Sequence, residues 1–198
     1  ELVEYAKANP GLGFASSGVG SNQHVAGEWL AKEAGIKLEH VPYRGAGQAI
    51  NDLIATHVKV AFLGPTALVQ HYKAGVLKLL AHTGSKRSPI LPEIPTLDES
   101  GYPVVLDAWY GAFVPSGTPH ELVMKLNGEM NHALKDEKLR DTFLKGVVEV
   151  IGGTPEELGK LAQAVGIRAV RRTHHQHQVA ARGQFAYRVL AVLGRVAD

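Results

Sequence analysis

Short apolar runs alternate with helical patterns through the first half of the chain, and this alternation constrains the fold more than any other feature. The predicted strands are Leu12–Ser16, Leu38–Pro42, Val58–Leu63 and Leu77–His82. The predicted helices between them are Asn22–Ala34, Ala46–Thr56 and Thr66–Lys73. Consecutive strands that are joined through helices need right-handed crossovers, and such crossovers build a parallel sheet. The sequence therefore predicts an α/β fold.

Composition excludes several classes of protein. The 198 residues are 45% hydrophobic, which is enough for a substantial core, and they include no cysteine, so disulfides and thiolate metal sites are excluded. No apolar run reaches the roughly 18 residues that a membrane-spanning helix needs. Glu1 lies within an amphipathic pattern and is not an initiating methionine. We therefore expect the chain to begin inside a longer one, and the lack of a signal peptide says little about location.

Prolines mark a change of organisation between Ser85 and Pro119, because the six prolines of this stretch exclude a long helix. Within the stretch, Val104–Val114 has strand composition, which indicates an extended crossing between two lobes. We therefore predict an α/β ligand-binding lobe over residues 1–103. A crossover with part of a second lobe is predicted over residues 104–164, and a separate tail over residues 165–198.

Two similar segments, GTPHEL and GTPEEL, predict helix starts in the second half. Each places a threonine at the N-cap, a proline at the first helical position and a glutamate where it completes a capping box. The predicted N-caps are Thr118 and Thr154. The first of these helices is predicted to end near Leu134, followed by a helix over Glu137–Lys145 and a short strand over Val147–Ile151.

The tail uses basic residues differently from the body. It contains six arginines, no lysine and one acid, and we hypothesise that it is read out of frame from a GC-rich gene. A partial helical pattern joins Phe185, Val189, Val192 and Val196. The arginines lack interleaved aromatic residues and a known module, so nucleic acid is not predicted as a partner. The histidines of THHQH form no metal-binding motif.

The loop after the first strand carries the clearest signal for a ligand. Residues 16–21, with Ser16, Ser17, Gly18 and Ser21, offer hydroxyls and backbone N–H groups just before a helix. The helix N-terminus adds about half a positive charge, which favours an anion such as a carboxylate. The loop lacks the lysine of a P-loop, the third glycine of a dinucleotide motif and the G-x-S-x-G of a nucleophile elbow. A tight turn of small residues that holds no ligand is the alternative.

Two further strand–loop–helix junctions follow. In HVPYRGAG, Tyr43 offers an aromatic wall and Arg44 a bidentate fork for a carboxylate, while Gly45 allows close approach of the backbone. In FLGPTA, Pro65 precedes Thr66, the predicted N-cap. Open α/β sheets bind ligands at the carboxyl ends of their strands. Convergence of three loops at that edge is therefore stronger evidence than any single loop.

The crossing segment DAWYGAF leaves several functions open. Asp107 adds an acid, and Trp109 and Tyr110 either close over a ligand or pack at a hinge. A serine hydrolase or transferase would use Ser17 with His24 as its base, but no elbow motif and no orienting acid are present, so no enzyme is predicted. Otherwise His24 contacts a ligand or only packs. A third alternative is the effector-binding domain of a transcription regulator, which would need a DNA-binding element upstream.

Five segments taken together resemble one family. They are KANPGLGFASSGVGSNQHVAGEWLAKEAG, EHVPYRGAGQAINDLIATHVKVAFLGPTAL, KAGVLKLLAHTGSKRSPILPEIPTLDESGYP, AWYGAFVPSGTP and GGTPEEL. Their order and spacing, from residue 1 to about residue 163, are similar to those of the Bug-type extracytoplasmic solute receptors, the binding components of tripartite tricarboxylate transporters. The resemblance implies a type II periplasmic-binding-protein fold with two lobes. It also implies capture of a small di- or tricarboxylate in the periplasm, delivery to a membrane permease, and no cofactor.

The resemblance further implies which residues face the ligand. By position they are Ser16, Ser17, Gly18, Ser21, His24, Tyr43, Arg44, Gly45, Pro65, Thr66, Asp107, Trp109 and Tyr110. The sequence also differs from the family. A long first segment with a Pro-Gly-Gly loop is not in this sequence, so we expect the chain alone to bind weakly or not at all. Leu63 and Gly64 replace a frequent Asp or Asn, which weakens amine recognition, and the final family helix is lost at Val165.

Overall fold

The computed structural model describes residues 1–115, 117–164, 178–180, 185–188 and 190–193. Its contacts divide the chain into two compact units. The first unit comprises Glu1–Ala108, Lys145–Val147 and Tyr187–Asp198, and the second comprises Trp109–Leu144 and Val148–Ala186. The predicted domain limits at residues 103 and 164 stay predictions. No helix among the described residues is both long and apolar enough to span a membrane.

The first unit is an α/β layer structure around one sheet. Its helices are α1 (Leu2–Ala8), α2 (Asn22–Ala34), α3 (Ala46–Ile54) and α4 (Pro65–Lys73). Its strands are β1 (Leu12–Ser16), β2 (Leu38–Pro42), β3 (Val60–Leu63), β4 (Lys78–His82) and β10 (Leu190–Leu193), in the order β2-β1-β3-β10-β4. Strand β1 pairs in parallel with β2 and with β3, which confirms the predicted parallel arrangement.

Residues 190–193 of the tail form strand β10, which lies antiparallel between β3 and β4. The predicted limits of the tail stay a prediction, but the predicted helical pattern within it was wrong. Residues 185–188 and 190–193 are strands, not turns of a helix. The predicted helical positions Val189 and Val196, and the THHQH histidines, lie outside the described residues. The continuous apolar run LAVL is compatible with a buried strand, but a run of four residues does not separate strand from helix.

The sheet of the first unit is buried on both faces. On one face, Leu53 of α3 and Leu68 of α4 pack in the same cluster as Leu63 of β3. On the other face, Phe14 and Leu30 are almost fully buried, and the Phe14 ring meets the Phe62 ring edge-on at 5.4 Å between centroids. Strand β3 is buried along its whole length because it lies inside the sheet with helices on both faces.

The remaining elements lie mainly in the second unit. They are β5 (Asp107–Tyr110), β6 (Phe113–Pro115), α5 (His120–Ala133), α6 (Glu137–Lys145), β7 (Val148–Val150), α7 (Pro155–Ala164), β8 (Gln178–Ala180) and β9 (Phe185–Arg188). Strands β5, β9 and β7 form a sheet in that order, and β6 pairs antiparallel with β8. The predicted strand over Val104–Val114 is thus two short strands. Its first residue, Val104, is fully buried.

Helix starts test the capping predictions directly. Ser21 is the N-cap of α2, and its Oγ accepts from His24 N at 3.2 Å. The box at Thr154 is confirmed, because Thr154 N donates to Glu157 Oε2 at 2.7 Å and Glu157 N donates to Thr154 Oγ1 at 3.3 Å. The predicted N-cap Thr118 was wrong, since α5 is capped by Pro119 and begins at His120.

Candidate functional site

Three loops of the first unit follow strands that end at one edge of the sheet. The register of β1 and β2 closes with Ser16 opposite Pro42, and Ala15 lies opposite Ala61 of β3. Because the three strands are parallel, residues 16–21, 43–45 and 64–66 leave the sheet at its carboxyl edge. A Cβ added to Gly18 would lie 3.5 Å from the Tyr43 carbonyl oxygen, so the first two loops are in close approach. The first two loops are therefore close together, and the third leaves the sheet at the same edge.

The first loop is held by its own hydroxyls. The buried Ser16 Oγ accepts from Gly18 N at 3.2 Å, and Ser21 Oγ donates to Gly18 O at 2.8 Å. Ser17 Oγ donates to Gln23 Oε1 at 2.9 Å. Gly18 and Gly20 have φ values of 141° and 76°, where a side chain would be strained, so glycine is required at both positions.

Two amides of this loop stay available for a ligand. Val19 N and Asn22 N make no hydrogen bond with any of the described residues. Asn22 is the first residue of α2, so its N–H group is one of the donors that a helix leaves unsatisfied at its start. Both residues are exposed. The loop therefore offers uncharged donors and a helix dipole to an anion.

A pair of imidazoles lies beside the first loop. The rings of His24 and His40 stack with centroids 3.8 Å apart and planes inclined by 13°. His40 Nε2 lies 2.6 Å from Ser16 Oγ, and His24 Nδ1 accepts from Gly20 N at 3.1 Å. Burial, together with the neighbouring His24, lowers the pKa of His40. Both histidines thus bond to the loop itself.

The second loop divides into an engaged tyrosine and an exposed arginine. Tyr43 OH donates to Asp52 Oδ2 of α3 at 2.7 Å, and Tyr43 N donates to Ser16 O at 3.1 Å. Burial and the hydrogen bond to Asp52 raise the pKa of Tyr43 to about 12. The same bond, with help from His57, lowers the pKa of Asp52. Arg44 is exposed and forms no ion pair or hydrogen bond within the part of the chain that the structure describes.

The third loop begins α4 differently from the prediction. Gly64 is the N-cap and the buried Pro65 is the first helical residue, so the prediction of Thr66 as N-cap was wrong. Thr66 lies two positions after the N-cap, and its Oγ1 donates to Gly146 O at 2.8 Å. The hydroxyl of Thr66 is thus used in a tertiary contact.

The crossing residues belong to different units. Asp107 is exposed and directly follows Leu106, whose carbonyl accepts from Thr83 Oγ1 at 2.6 Å just beyond β4. Trp109 and Tyr110 lie in the second unit, where Trp109 is partly buried and Tyr110 is 54% exposed. Their predicted roles in holding a ligand stay predictions.

Sequence reasoning missed three residues of this site: His40, Gln23 and Asp52. His40 and Asp52 were read as ordinary positions of a strand and a helix. Their partners, Ser16 and Tyr43, are 24 and 9 residues away in sequence, so no local pattern indicates either contact. Gln23 is only 6 residues from Ser17, but the burial that requires a partner for its side chain is visible only in the structure.

An open α/β sheet whose loops leave at its carboxyl edge belongs to the class of folds that bind ligands at that edge. Residues 1–172 match the family model described as "Tripartite tricarboxylate transporter family receptor". The chain belongs to this family.

Curated relatives support the assignment. The chain is 37% identical over 166 residues to the "UPF0065 protein in tcbD-tcbE intergenic region" of Pseudomonas sp. strain P51, covering 81% of this chain and 49% of that protein. It is 31% identical over 167 residues to "Protein BugT" of Bordetella pertussis, and this match covers 83% of this chain and 51% of that protein. The chain therefore spans about half the length of these relatives.

Solved structures have the same fold. One is described as "R. palustris Rpa4515 with adipate", with a TM-score of 0.78, 29% identity and coverage of 82% of this chain and 55% of that one. A second is described as "Structure of periplasmic binding protein BugD", with a TM-score of 0.72, 34% identity and coverage of 83% of this chain and 56% of that one. A third is MatC (Rpa3494) from Rhodopseudomonas palustris with bound malate, with a TM-score of 0.69, 26% identity and coverage of 82% of this chain and 57% of that one. The type II periplasmic-binding-protein fold predicted from the sequence is thereby confirmed.

Proposed function

We propose that the protein to which this chain belongs is a periplasmic receptor that captures a small carboxylate, of the di- or tricarboxylate type, for a tripartite tricarboxylate transporter. A membrane permease would receive the ligand. Family membership supports the receptor role, and the adipate and malate bound to two structural neighbours support a carboxylate as the ligand class. We propose no chemical reaction and no cofactor.

The observation that carries the proposal is the combination of donors at the carboxyl edge of β1 and β2. The amides of Val19 and Asn22 have no partner among the described residues, and the exposed guanidinium of Arg44 follows β2 at the same edge. A planar guanidinium binds a carboxylate through two parallel hydrogen bonds. The backbone amides would add charge-assisted hydrogen bonds to the carboxylate, and no second charged group has to be desolvated for them.

The alternative of a serine hydrolase loses its required geometry. A nucleophile and its base need a hydrogen bond between them, but Ser17 Oγ donates to Gln23 and His24 Nδ1 accepts from Gly20. The second serine–histidine contact, Ser16 with His40, has a fully buried serine that a dissolved substrate does not reach. No specific observation favours an effector-binding domain.

A titration of the isotope-labelled chain with adipate and with malate tests the proposal. Because NMR detects dissociation constants up to the millimolar range, the test accommodates the weak binding that we expect of this chain. We expect saturable shifts at the amides of Val19 and Asn22, and a loss of affinity of about tenfold in Arg44→Gln, which corresponds to one charge-assisted hydrogen bond.

The matched control is Lys32→Gln, which removes one positive charge from an exposed position in the last turn of α2. It should leave the shifts unchanged within about twofold, since exposed charges more than a Debye length apart are screened. Equal loss of affinity in both variants contradicts the proposal.

A further inference from the structure

Val19 and Arg44, which are proposed to bind the carboxylate, lie in loops, and Asn22 is the first residue of α2, whereas His40 lies inside strand β2. Its Nε2 is 2.6 Å from the oxygen of the fully buried Ser16. That oxygen also accepts from the Gly18 amide at 3.2 Å. His40, Ser16 and Gly18 therefore form one chain of hydrogen bonds from the strand into the first loop.

A second connection starts from the ring stacked on His40. His24 Nδ1 accepts from Gly20 N at 3.1 Å, and its Nε2 lies 3.7 Å from Glu28 Oε1. An imidazole nitrogen that accepts a hydrogen bond carries no proton, so His24 is neutral in this arrangement with its proton on Nε2, toward Glu28. The amides of Gly18 and Gly20, on either side of Val19, are thus both held through the imidazole pair.

The stack gives the pair its rigidity. The Phe14 ring lies 5.1 Å from the His40 centroid and 6.4 Å from the His24 centroid, and it is anchored against Phe62 in the core. Each imidazole is therefore fixed by another ring as well as by its hydrogen bond. Such support limits the side-chain motion that would otherwise loosen the loop.

We propose that His40, acting with His24, is a positioning residue of the carboxylate site: the pair fixes the Gly18 and Gly20 amides and so presents the Val19 amide to the ligand. The inference rests on the proposed function for the identity of the ligand. The two histidines have different tasks. His40 holds the Gly18 amide through the Ser16 hydroxyl, and His24 holds the Gly20 amide directly. Neither histidine contacts the carboxylate.

Two substitutions at one position separate the tasks. His40→Phe keeps a flat ring under His24 but removes the bond to Ser16. His40→Gln supplies an amide nitrogen of similar reach but removes the ring. We expect amide hydrogen exchange to quicken at Gly18 by about three- to tenfold in His40→Phe, the range that loss of one hydrogen bond gives, while Gly20 stays unchanged.

The reverse pattern is expected in His40→Gln, with Gly20 exchange quickened and Gly18 exchange restored to within about twofold of the parent chain. A role in packing alone would move both amides together in both variants. Ser16→Ala removes the shared hydroxyl and keeps both rings, so it should quicken amide hydrogen exchange at Gly18 alone. This variant also tests the hydrogen-bond link between His40 and Gly18 if His40→Phe does not fold. His132→Phe, at an exposed position of α5, is the matched control and should change neither amide.

The ligand is tested separately with adipate as the probe. If the parent chain binds adipate, His40→Phe should weaken binding by about three- to tenfold, and His40→Gln should recover part of that loss. The crossed amide pattern without any adipate or malate binding would support the positioning role and speak against both acids as ligands of this chain. Unchanged amides in His40→Phe and Ser16→Ala, or identical changes in His40→Phe and His40→Gln, would overturn the positioning role.

Discussion

The two units of the chain differ in how their elements are held. In the first unit, helices pack on a sheet through large buried side chains such as Phe14, Phe62 and Leu53. In the second unit, α6 buries no residue and the α5 side chains of Leu122, Met124 and Leu126 are between 38% and 46% exposed. Hydrogen bonds from Asn127 and Asn131 of α5 to the backbone of Gly153, called here the Gly153 ties, join elements of this unit in addition to its apolar contacts. The candidate loops lie on the well-packed unit, where a ligand site is best supported.

The sharpest test of this difference uses two glycines that occupy the same kind of position. Gly27 in α2 and Gly128 in α5 both lie inside helices. A Cβ on Gly27 would lie 2.3 Å from Phe14 Cε2, whereas one on Gly128 would meet nothing within 4 Å. Gly27→Ala should therefore lower the free energy of unfolding by about 3 kcal/mol or prevent folding. Gly128→Ala should raise it by about 0.5–1 kcal/mol.

Urea denaturation followed by far-UV circular dichroism measures both effects. Changes of the same sign in the two variants would mean that packing does not distinguish the units. A destabilised Gly128→Ala would show in addition that the exposed face of α5 is covered in solution.

The second prediction concerns the polar ties of the second unit. Asn131 Oδ1 accepts from Gly153 N, and Asn131 Nδ2 donates to Gly153 O, each at 2.9 Å. Asn131→Ala should cost about 1–3 kcal/mol, because it leaves the partly buried Gly153 N without its acceptor, while Gly153 O keeps the bond from Asn127 Nδ2 at 2.9 Å. Asn51→Ala, at an exposed position of α3, is the control and should cost less than about 0.5 kcal/mol. Equal losses in the two variants would refute a special role for the Gly153 ties.

The third prediction compares the two segments that look alike in sequence. Thr154→Ala should cost about 1 kcal/mol, because the structure forms both bonds of that capping box. Thr118→Ala should cost less than about 0.5 kcal/mol, since Thr118 N donates to Pro115 O in a turn and its side chain caps no helix. Thermal unfolding of the two variants decides the matter, and a larger loss in Thr118→Ala would contradict the observed helix start.

These two threonines show how far sequence reasoning reaches. Strand β1, helix α2 and strand β2 have the predicted limits, because each is specified by nearby signals: apolar runs, Ser21 as the cap and a C-capping Gly35 with φ of 62°. GTPHEL carries the same signals as GTPEEL, yet the chain around Thr118 turns instead. A capping box stabilises a helix by about 1 kcal/mol, so competing contacts of similar size decide whether it forms.

Contacts between residues that are far apart in sequence are the second feature that could not be predicted from the sequence. The edge at which the three loops leave the sheet follows from parallel topology and was predictable. The partners that use up the hydroxyls of Tyr43 and Thr66, namely Asp52 and Gly146, depend on how helices pack. An additional box at Thr96 and Glu99, with bonds of 3.0 and 2.9 Å, was readable in T-L-D-E but was passed over within the proline-rich stretch.

The smallest expected effect belongs to the first unit and concerns pH. Burial and the neighbouring His24 lower the pKa of His40 in the folded chain, and the carboxylate of Glu28 opposes them only in part. The unfolded chain therefore binds more protons than the folded one between the two pKa values, so stability rises with pH there. The contribution of His40 is fully present above its ordinary pKa and is lost as pH falls through the lowered value.

The free energy of unfolding, measured between about pH 5 and pH 7, should thus show a shallower slope in His40→Phe than in the parent chain. His132→Phe again serves as the control, because it removes a histidine from an exposed face of the second unit and should leave the slope unchanged. A slope that is the same in all three proteins would show that the stack does not disfavour protonation, and the well-packed unit would then owe none of its pH dependence to the imidazole pair.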